Sequence, residues 1–159
     1  MNRRLLFLTV LLGALAAHKA HATEAAYNET ADAKAEVRQA LADAGRAKVP
    51  VLVVFGANWC GDCKVLDAAL KSGPSAPLVA REFRIVKVDV GRFDRNLDIA
   101  TAYDVPLKKG IPAVVVLSPD GRVQYATRAG ELADARSMGE NGIYEFFKKV
   151  ADTGVKQSK

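Results

Sequence analysis

Three short apolar runs constrain the fold of this 159-residue chain more than any other feature. They are Val51-Leu52-Val53-Val54-Phe55, the β-branched stretch 85–90, and Ala113-Val114-Val115-Val116-Leu117. Each has strand length, and the first and third carry no polar residue at all. Such strands are buried on both faces, which requires helices above and below the sheet. The intervals supply them. Val37, Ala40, Leu41 and Ala44 recur at helical spacing within 32–46, as do Val65, Leu66, Ala69 and Leu70 within 61–71. Gly73-Pro74 and Pro77 interrupt the pattern before a short helix over 78–83, and a modest helix is predicted over 94–103. Ser118-Pro119-Asp120-Gly121 is a turn that sends 122–127 back as an edge strand, and a last helix over 142–151 presents Ile143, Phe146, Phe147 and Val150. The order α-β-α-β-α-β-β-α describes an α/β chain with one mixed sheet covered by helices. No linker or repeat divides it, so a single domain is expected.

The N-terminus has a different character. Arg3 and Arg4 precede an apolar run over 5–17, and Ala20-His21-Ala22 has the small-x-small pattern of a cleavage site. Those are the three parts of a secretory signal peptide, and the run is too short to span a bilayer. Residues 1–22 are therefore expected to be removed, leaving a soluble, exported protein from Thr23 to Lys159, with no membrane span. Its location would be the periplasm in a Gram-negative bacterium and the exterior otherwise. Three of the 23 basic residues lie in the first 22 positions, with no acid, which leaves 20 against 18 acidic groups beyond them. A net of +2 argues against nucleic acid as a partner. His18 and His21 also lie in that leader, so the mature chain has no histidine. Serine–histidine and cysteine–histidine hydrolysis and histidine-ligated metal or haem are thereby excluded within one chain.

What stays reactive is Cys60 and Cys63, in Trp59-Cys60-Gly61-Asp62-Cys63-Lys64, where the first buried strand turns into a helix. Backbone N–H groups at a helix N-terminus are unpaired, and the helix dipole favours negative charge there, so a cysteine thiolate is stabilised. Two cysteines three residues apart in the first turn face the same way and can close a disulfide. One thiol in front of another can attack a disulfide and then resolve the mixed species. An inert structural disulfide and half of a metal site are the other readings of the pair. So short a loop removes little entropy from the unfolded chain, and no further ligands accompany the two thiols.

The segment Phe55-Gly56-Ala57-Asn58-Trp59-Cys60-Gly61-Asp62-Cys63-Lys64 resembles the active-site segment of the thioredoxin family. Gly110-Ile111-Pro112-Ala113 resembles that family's cis-proline segment, Lys87 its strand lysine, and Ser118-Pro119-Asp120-Gly121 its hairpin. The resemblance extends from about 33 to 150 and implies a thioredoxin-like three-layer sandwich. It also implies a thiol–disulfide oxidoreductase working through a Cys60–Cys63 disulfide, with Cys60 the exposed nucleophile and Cys63 the resolving thiol. Trp59, Ile111 and a cis Pro112 would form the surface that meets an extended protein substrate. Gly61, Asp62 and Lys87 would tune the redox pair. No cofactor beyond the dithiol and no metal is implied, and the partners would be protein disulfides or dithiols and a recycling redox protein. A monomer is expected.

The sequence departs from the family pattern at three positions. Val54 stands where many thioredoxins have a buried acid that helps deprotonate the resolving thiol, Ala68 replaces a helix-kinking proline, and Asp62 replaces the proline between the cysteines. A carboxylate at Asp62 repels a thiolate at Cys60 and favours the disulfide, which makes the pair an electron donor. Reduction of substrates is the direction expected on that ground. Oxidation or isomerisation of disulfides, a non-catalytic binding module or chaperone, and a metal carrier using the two thiolates are the alternatives.

Overall fold

The computed structural model describes residues 25–155, and the expected export signal at 1–22 lies outside them. Helix α1 (Ala33–Ala47) starts where Asp32 accepts a hydrogen bond from the Ala35 amide at 3.0 Å, an N-cap that satisfies one orphan donor. It ends at Lys48 in the left-handed region, whose amide returns to Ala44. Strand β1 (Val51–Gly56) is buried along its whole length. Helix α2 (Gly61–Lys71) follows, then α3 (Ser75–Glu82), β2 (Arg84–Asp89), α4 (Leu97–Ala102), a single 3-10 turn at Leu107–Lys109, β3 (Ala113–Leu117), β4 (Val123–Ala126) and α5 (Ala135–Val155).

The sheet order is β2-β1-β3-β4, with β1 parallel to β2 and antiparallel to β3, and β3 antiparallel to β4. Alternate residues of the central strands feed two separate cores. Val51, Val53, Phe55, Val115 and Leu117 pack with α1 and α4, whereas Leu52, Val54, Val114 and Val116 pack with α2, α3 and α5. The architecture is therefore the α/β three-layer sandwich with a mixed sheet. Full burial of each Val, Leu or Phe contributes about 1.5–3 kcal/mol, so the two central strands hold the layers together.

Three element boundaries differ from the sequence expectation. Helix α3 begins at Ser75, three residues early, because Pro77 sits in the first turn, where its missing N–H has no intrahelical acceptor to lose. Helix α4 is shorter than 94–103. Phe93 and Asn96 adopt left-handed backbone, and the Asn96 side chain donates to the Asp89 carbonyl at 2.8 Å, a local bond that competes with helix. Helix α5 begins at Ala135, ahead of the predicted 142, and is kinked at Gly139, whose φ of 64° only a glycine adopts readily. Its first turn carries the buried Ala135 and brings Arg136 to the start of α2.

Candidate active site

The site forms where β1 stops and α2 starts. The Cys60 amide donates to the Ala57 carbonyl at 3.1 Å, which folds the chain back after Gly56 and places Cys60 at the N-cap of α2. Its sulfur takes the role a serine or aspartate oxygen has at other helices, accepting a hydrogen bond from the Cys63 amide at 3.1 Å. Among the described residues, that amide is the one hydrogen-bond donor to Cys60 Sγ. The two cysteines are joined in a disulfide, with Cα atoms 5.2 Å apart. Cys60 keeps 5% of its surface and Cys63 none. Cys60, expected to be exposed, is therefore itself buried in the disulfide form, with a narrow rim of residue surface left open.

Three sequence-predicted residues surround that rim. Trp59 is 50% exposed. Its indole N–H donates to the Gly91 carbonyl at 2.7 Å, Phe93 meets the ring edge-on with centroids 6.1 Å apart, and the Arg92 guanidinium lies 6.0 Å from the ring centroid. The loop after β2 therefore fixes the indole beside the cysteines. Across the sulfur, the Ile111–Pro112 bond is cis, and the Ile111 carbonyl oxygen lies 3.6 Å from Cys60 Sγ. Gly61 opens α2, with the Arg136 guanidinium against its backbone.

Asp62 is not the lone carboxylate that the sequence reading supposed. Arg136, 74 residues away, donates to it from its backbone amide at 3.0 Å, from Nε at 3.2 Å and from an Nη at 3.0 Å. These hydrogen bonds, the side-chain ones foremost, hold the Asp62 carboxyl below the usual aspartate range. Asp62 and Arg136 together are neutral, so the charge presented to Cys60 is largely cancelled. The argument for a reducing direction from a bare carboxylate loses its premise.

Lys87 faces inward rather than standing as a surface charge. It pairs with Asp67 of α2 and donates to the Ala26 carbonyl at 2.9 Å, while Lys71 holds the other Asp67 oxygen at 3.1 Å. Val54, the register partner of Lys87, packs with the α2/α3/α5 core and offers no acid. Asp67, one helical turn after Cys63, is a buried carboxylate on this side of the sheet.

The sequence reading also missed the segment before α1. Residues 25–30, which no periodic apolar pattern marks in the sequence, dock on the active-site turn. The Tyr27 amide donates to Asn58 Oδ1 and Asn58 Nδ2 returns to the Tyr27 carbonyl, both at 2.9 Å. The Tyr27 side chain runs into the core to Gly56. A single methyl group at Gly56 would lie 2.9 Å from Cys63 Sγ and would overlap the Tyr27 hydroxyl outright. The hydroxyl and the buried sulfur thus both border the position of that missing methyl. Burial, and then the charges of Asp67 and Asp89, push the Tyr27 phenol above its ordinary range, so it stays protonated. Asp89 is itself raised, chiefly by burial, although the Gly91 amide and Arg95 bond to it. An aromatic residue standing alone in a polar stretch was the one signal in sequence for Tyr27.

A three-layer α/β sandwich with a cysteine pair at the strand-to-helix junction, opposite a cis-proline loop, defines the class of thiol–disulfide exchange proteins with a thioredoxin-type site. The family model described as thioredoxin-like matches residues 32–119. Among solved structures, the disulphide isomerase of Xylella fastidiosa is 51% identical with a TM-score of 0.78, covering 81% of this chain and 98% of that one. A thioredoxin of Pseudomonas aeruginosa is 35% identical over 95 residues, 59% of this chain and 78% of its own length. The thiol:disulfide interchange protein DsbD of Pseudomonas fluorescens is 27% identical over 111 residues, and this chain spans only 18% of that longer protein. The chain belongs to the thioredoxin-like family, and it is a thiol–disulfide oxidoreductase whose redox group is the cysteine pair. Among the described residues, no helix is long and apolar enough to cross a membrane, and no group of three or more metal-ligating side chains occurs.

Proposed function

We propose that this protein reduces disulfides in exported proteins, with Cys60 as the attacking thiol and Cys63 as the resolving one. The carrying observation is the position of Cys60 Sγ at the N-cap of α2, at the surface rim, between Trp59 and the Ile111 carbonyl. The Cys60 thiolate attacks a substrate sulfur, forming a mixed disulfide and expelling the other substrate sulfur as thiolate. Cys63 then attacks Cys60, the Cys60–substrate bond breaks with its electron pair on the substrate sulfur, and the Cys60–Cys63 disulfide remains. Ile111 offers its backbone to an extended substrate strand, Pro112 holds that loop against the sulfur, and Trp59 supplies an apolar contact. Gly61, Asp62 and Lys87 tune the pair, the last two through the ion pairs they make with Arg136 and Asp67.

The reducing direction is supported by the sparse stabilisation of the Cys60 thiolate. One N–H donor aims at Cys60 Sγ, worth about 1.5–3 kcal/mol to a charged acceptor, which leaves the disulfide the favoured form. A periplasmic or secreted location, cleavage after Ala22, a single domain over 23–159 and a monomeric state complete the reading. A separate redox protein must return electrons to Cys60–Cys63. Similarity to the 51% identical disulphide isomerase favours a second reading, disulfide isomerisation.

Insulin reduction by dithiothreitol, followed as turbidity, tests the proposal. Cys60→Ser and Cys63→Ser each abolish catalysis if the pair turns over, whereas a binding module keeps its function in both. A reductase with Cys63 replaced by serine also loses re-pairing of scrambled disulfides, and an isomerase retains it through the lone attacking thiol.

A further inference from the structure

We infer that Tyr27 and Asp67 handle the proton of Cys63, the task for which Val54 is chemically unfit; the inference rests on Cys63 being the resolving thiol. When Cys63 attacks Cys60 its S–H bond must break, and a fully buried sulfur is not open to bulk solvent as the proton's acceptor. The Tyr27 hydroxyl and Cys63 Sγ both border the empty Cβ position of Gly56, where no side chain intervenes. Asp67 lies one turn further along α2, on the face that Cys63 shares, and its charge acts on the same phenol. Lys87 from β2 and Lys71 from α2 fix the two oxygens of Asp67. Asp67 also borders a surface groove of about 800 Å³, with Lys64, Lys71 and Asn58, which opens a route to solvent.

The other charged groups on this side are already engaged. Asp89 of β2 is held by the Gly91 amide and Arg95, and Glu29 of the leading segment bonds to Asn58. Tyr27 Oη accepts the Cys63 proton as its own proton passes to the Asp67 carboxylate. The Cys63 sulfur forms its bond to Cys60, the substrate thiolate leaves, and Asp67 releases the proton into the groove. Burial and the charges of Asp67 and Asp89 keep the phenol protonated, so Tyr27 has a proton to pass on as it takes up that of Cys63. Tyr27 acts on the reacting sulfur; Asp67 and Lys87 are positioning residues that act through it.

Stopped-flow single turnover with the full chain separates the two chemical steps. The first is attack of the reduced protein on a chromogenic aromatic disulfide, and the second is decay of the mixed disulfide. Tyr27→Phe removes one oxygen and keeps the ring, so the fold is retained. It should slow the second step about tenfold or more at pH 7, shift that step's pH profile towards alkali, and leave the first step unchanged. Asp67→Asn should act in the same direction and add little to Tyr27→Phe in the double variant. Asp67→Glu should restore part of the rate. An unchanged second-step rate and pH profile in Tyr27→Phe overturns the inference even if Asp67→Asn fails to fold. Loss of the first step in the parent protein instead overturns the assignment of Cys60 on which the inference stands.

Discussion

Gly56→Ala is the most informative single substitution in the molecule. The strand backbone there accepts any residue, and replacing glycine lowers unfolded-state entropy, which alone stabilises by about 0.4–1 kcal/mol. The structure predicts the opposite sign. The added methyl would lie 2.9 Å from Cys63 Sγ and inside the Tyr27 hydroxyl, in a site where β1, Tyr27 and Cys63 are all buried. Neither neighbour moves freely, since Cys63 is tied to Cys60 and the Tyr27 backbone is clamped on both sides by Asn58. Overpacking of this kind costs about 1–3 kcal/mol, so the net loss should be about 1–2 kcal/mol. The assay is urea unfolding of the oxidised protein, combined with Tyr27→Leu in a double-variant cycle. Tyr27→Leu alone should cost about 2–3 kcal/mol through the cavity it leaves. In the double variant the methyl occupies part of that cavity, and the combined loss should fall short of the sum by about 1 kcal/mol or more. Equal stability of Gly56→Ala and the parent, or strict additivity with Tyr27→Leu, would refute the packing of Tyr27 against Gly56 and Cys63.

Asp62, held low by Arg136, binds its proton less readily in the folded state than in the unfolded one. Its stabilising contribution is therefore complete above the unfolded carboxylate range near pH 4 and is lost as pH falls through the lower folded value. Asp62→Asn should flatten the acid limb of the denaturation midpoint measured from pH 2 to 7, with little change in slope above pH 6. Trp59→Phe loses the bond to Gly91 but no core contact; it should lower insulin reduction several-fold while thermal stability stays within about 0.5 kcal/mol.

The parts of the fold that could be read from sequence are those with local causes. Val51 to Phe55 and Ala113 to Leu117 announce two-sided burial by themselves, and Cys60 at a strand-to-helix junction announces its chemistry. The cis Ile111–Pro112 bond was expected from resemblance, and the sulfur beside it explains its place in the site. The misread parts depend on residues far along the chain. Nothing near Asp62 signals that Arg136 will arrive from α5, and nothing near Tyr27 signals that Gly56 leaves room for its hydroxyl. Lys87 finds its partner Asp67 20 residues earlier on a different element, which nothing near it in sequence signals. At α4, the left-handed Phe93 and Asn96 overrode an adequate helical pattern, a choice made by bonds to Asp89 rather than by propensity.

The central claim is that Cys60 attacks and Cys63 resolves. Reduced Cys63→Ser protein, incubated with a disulfide-containing polypeptide and digested after acid quenching, should yield a single adduct mapped by mass spectrometry to Cys60. Reduced Cys60→Ser protein under the same conditions should yield almost none, because Cys63 is sealed beneath Tyr27 and Gly56. Equal or greater labelling at Cys63 would reverse the roles of the two thiols and contradict the account.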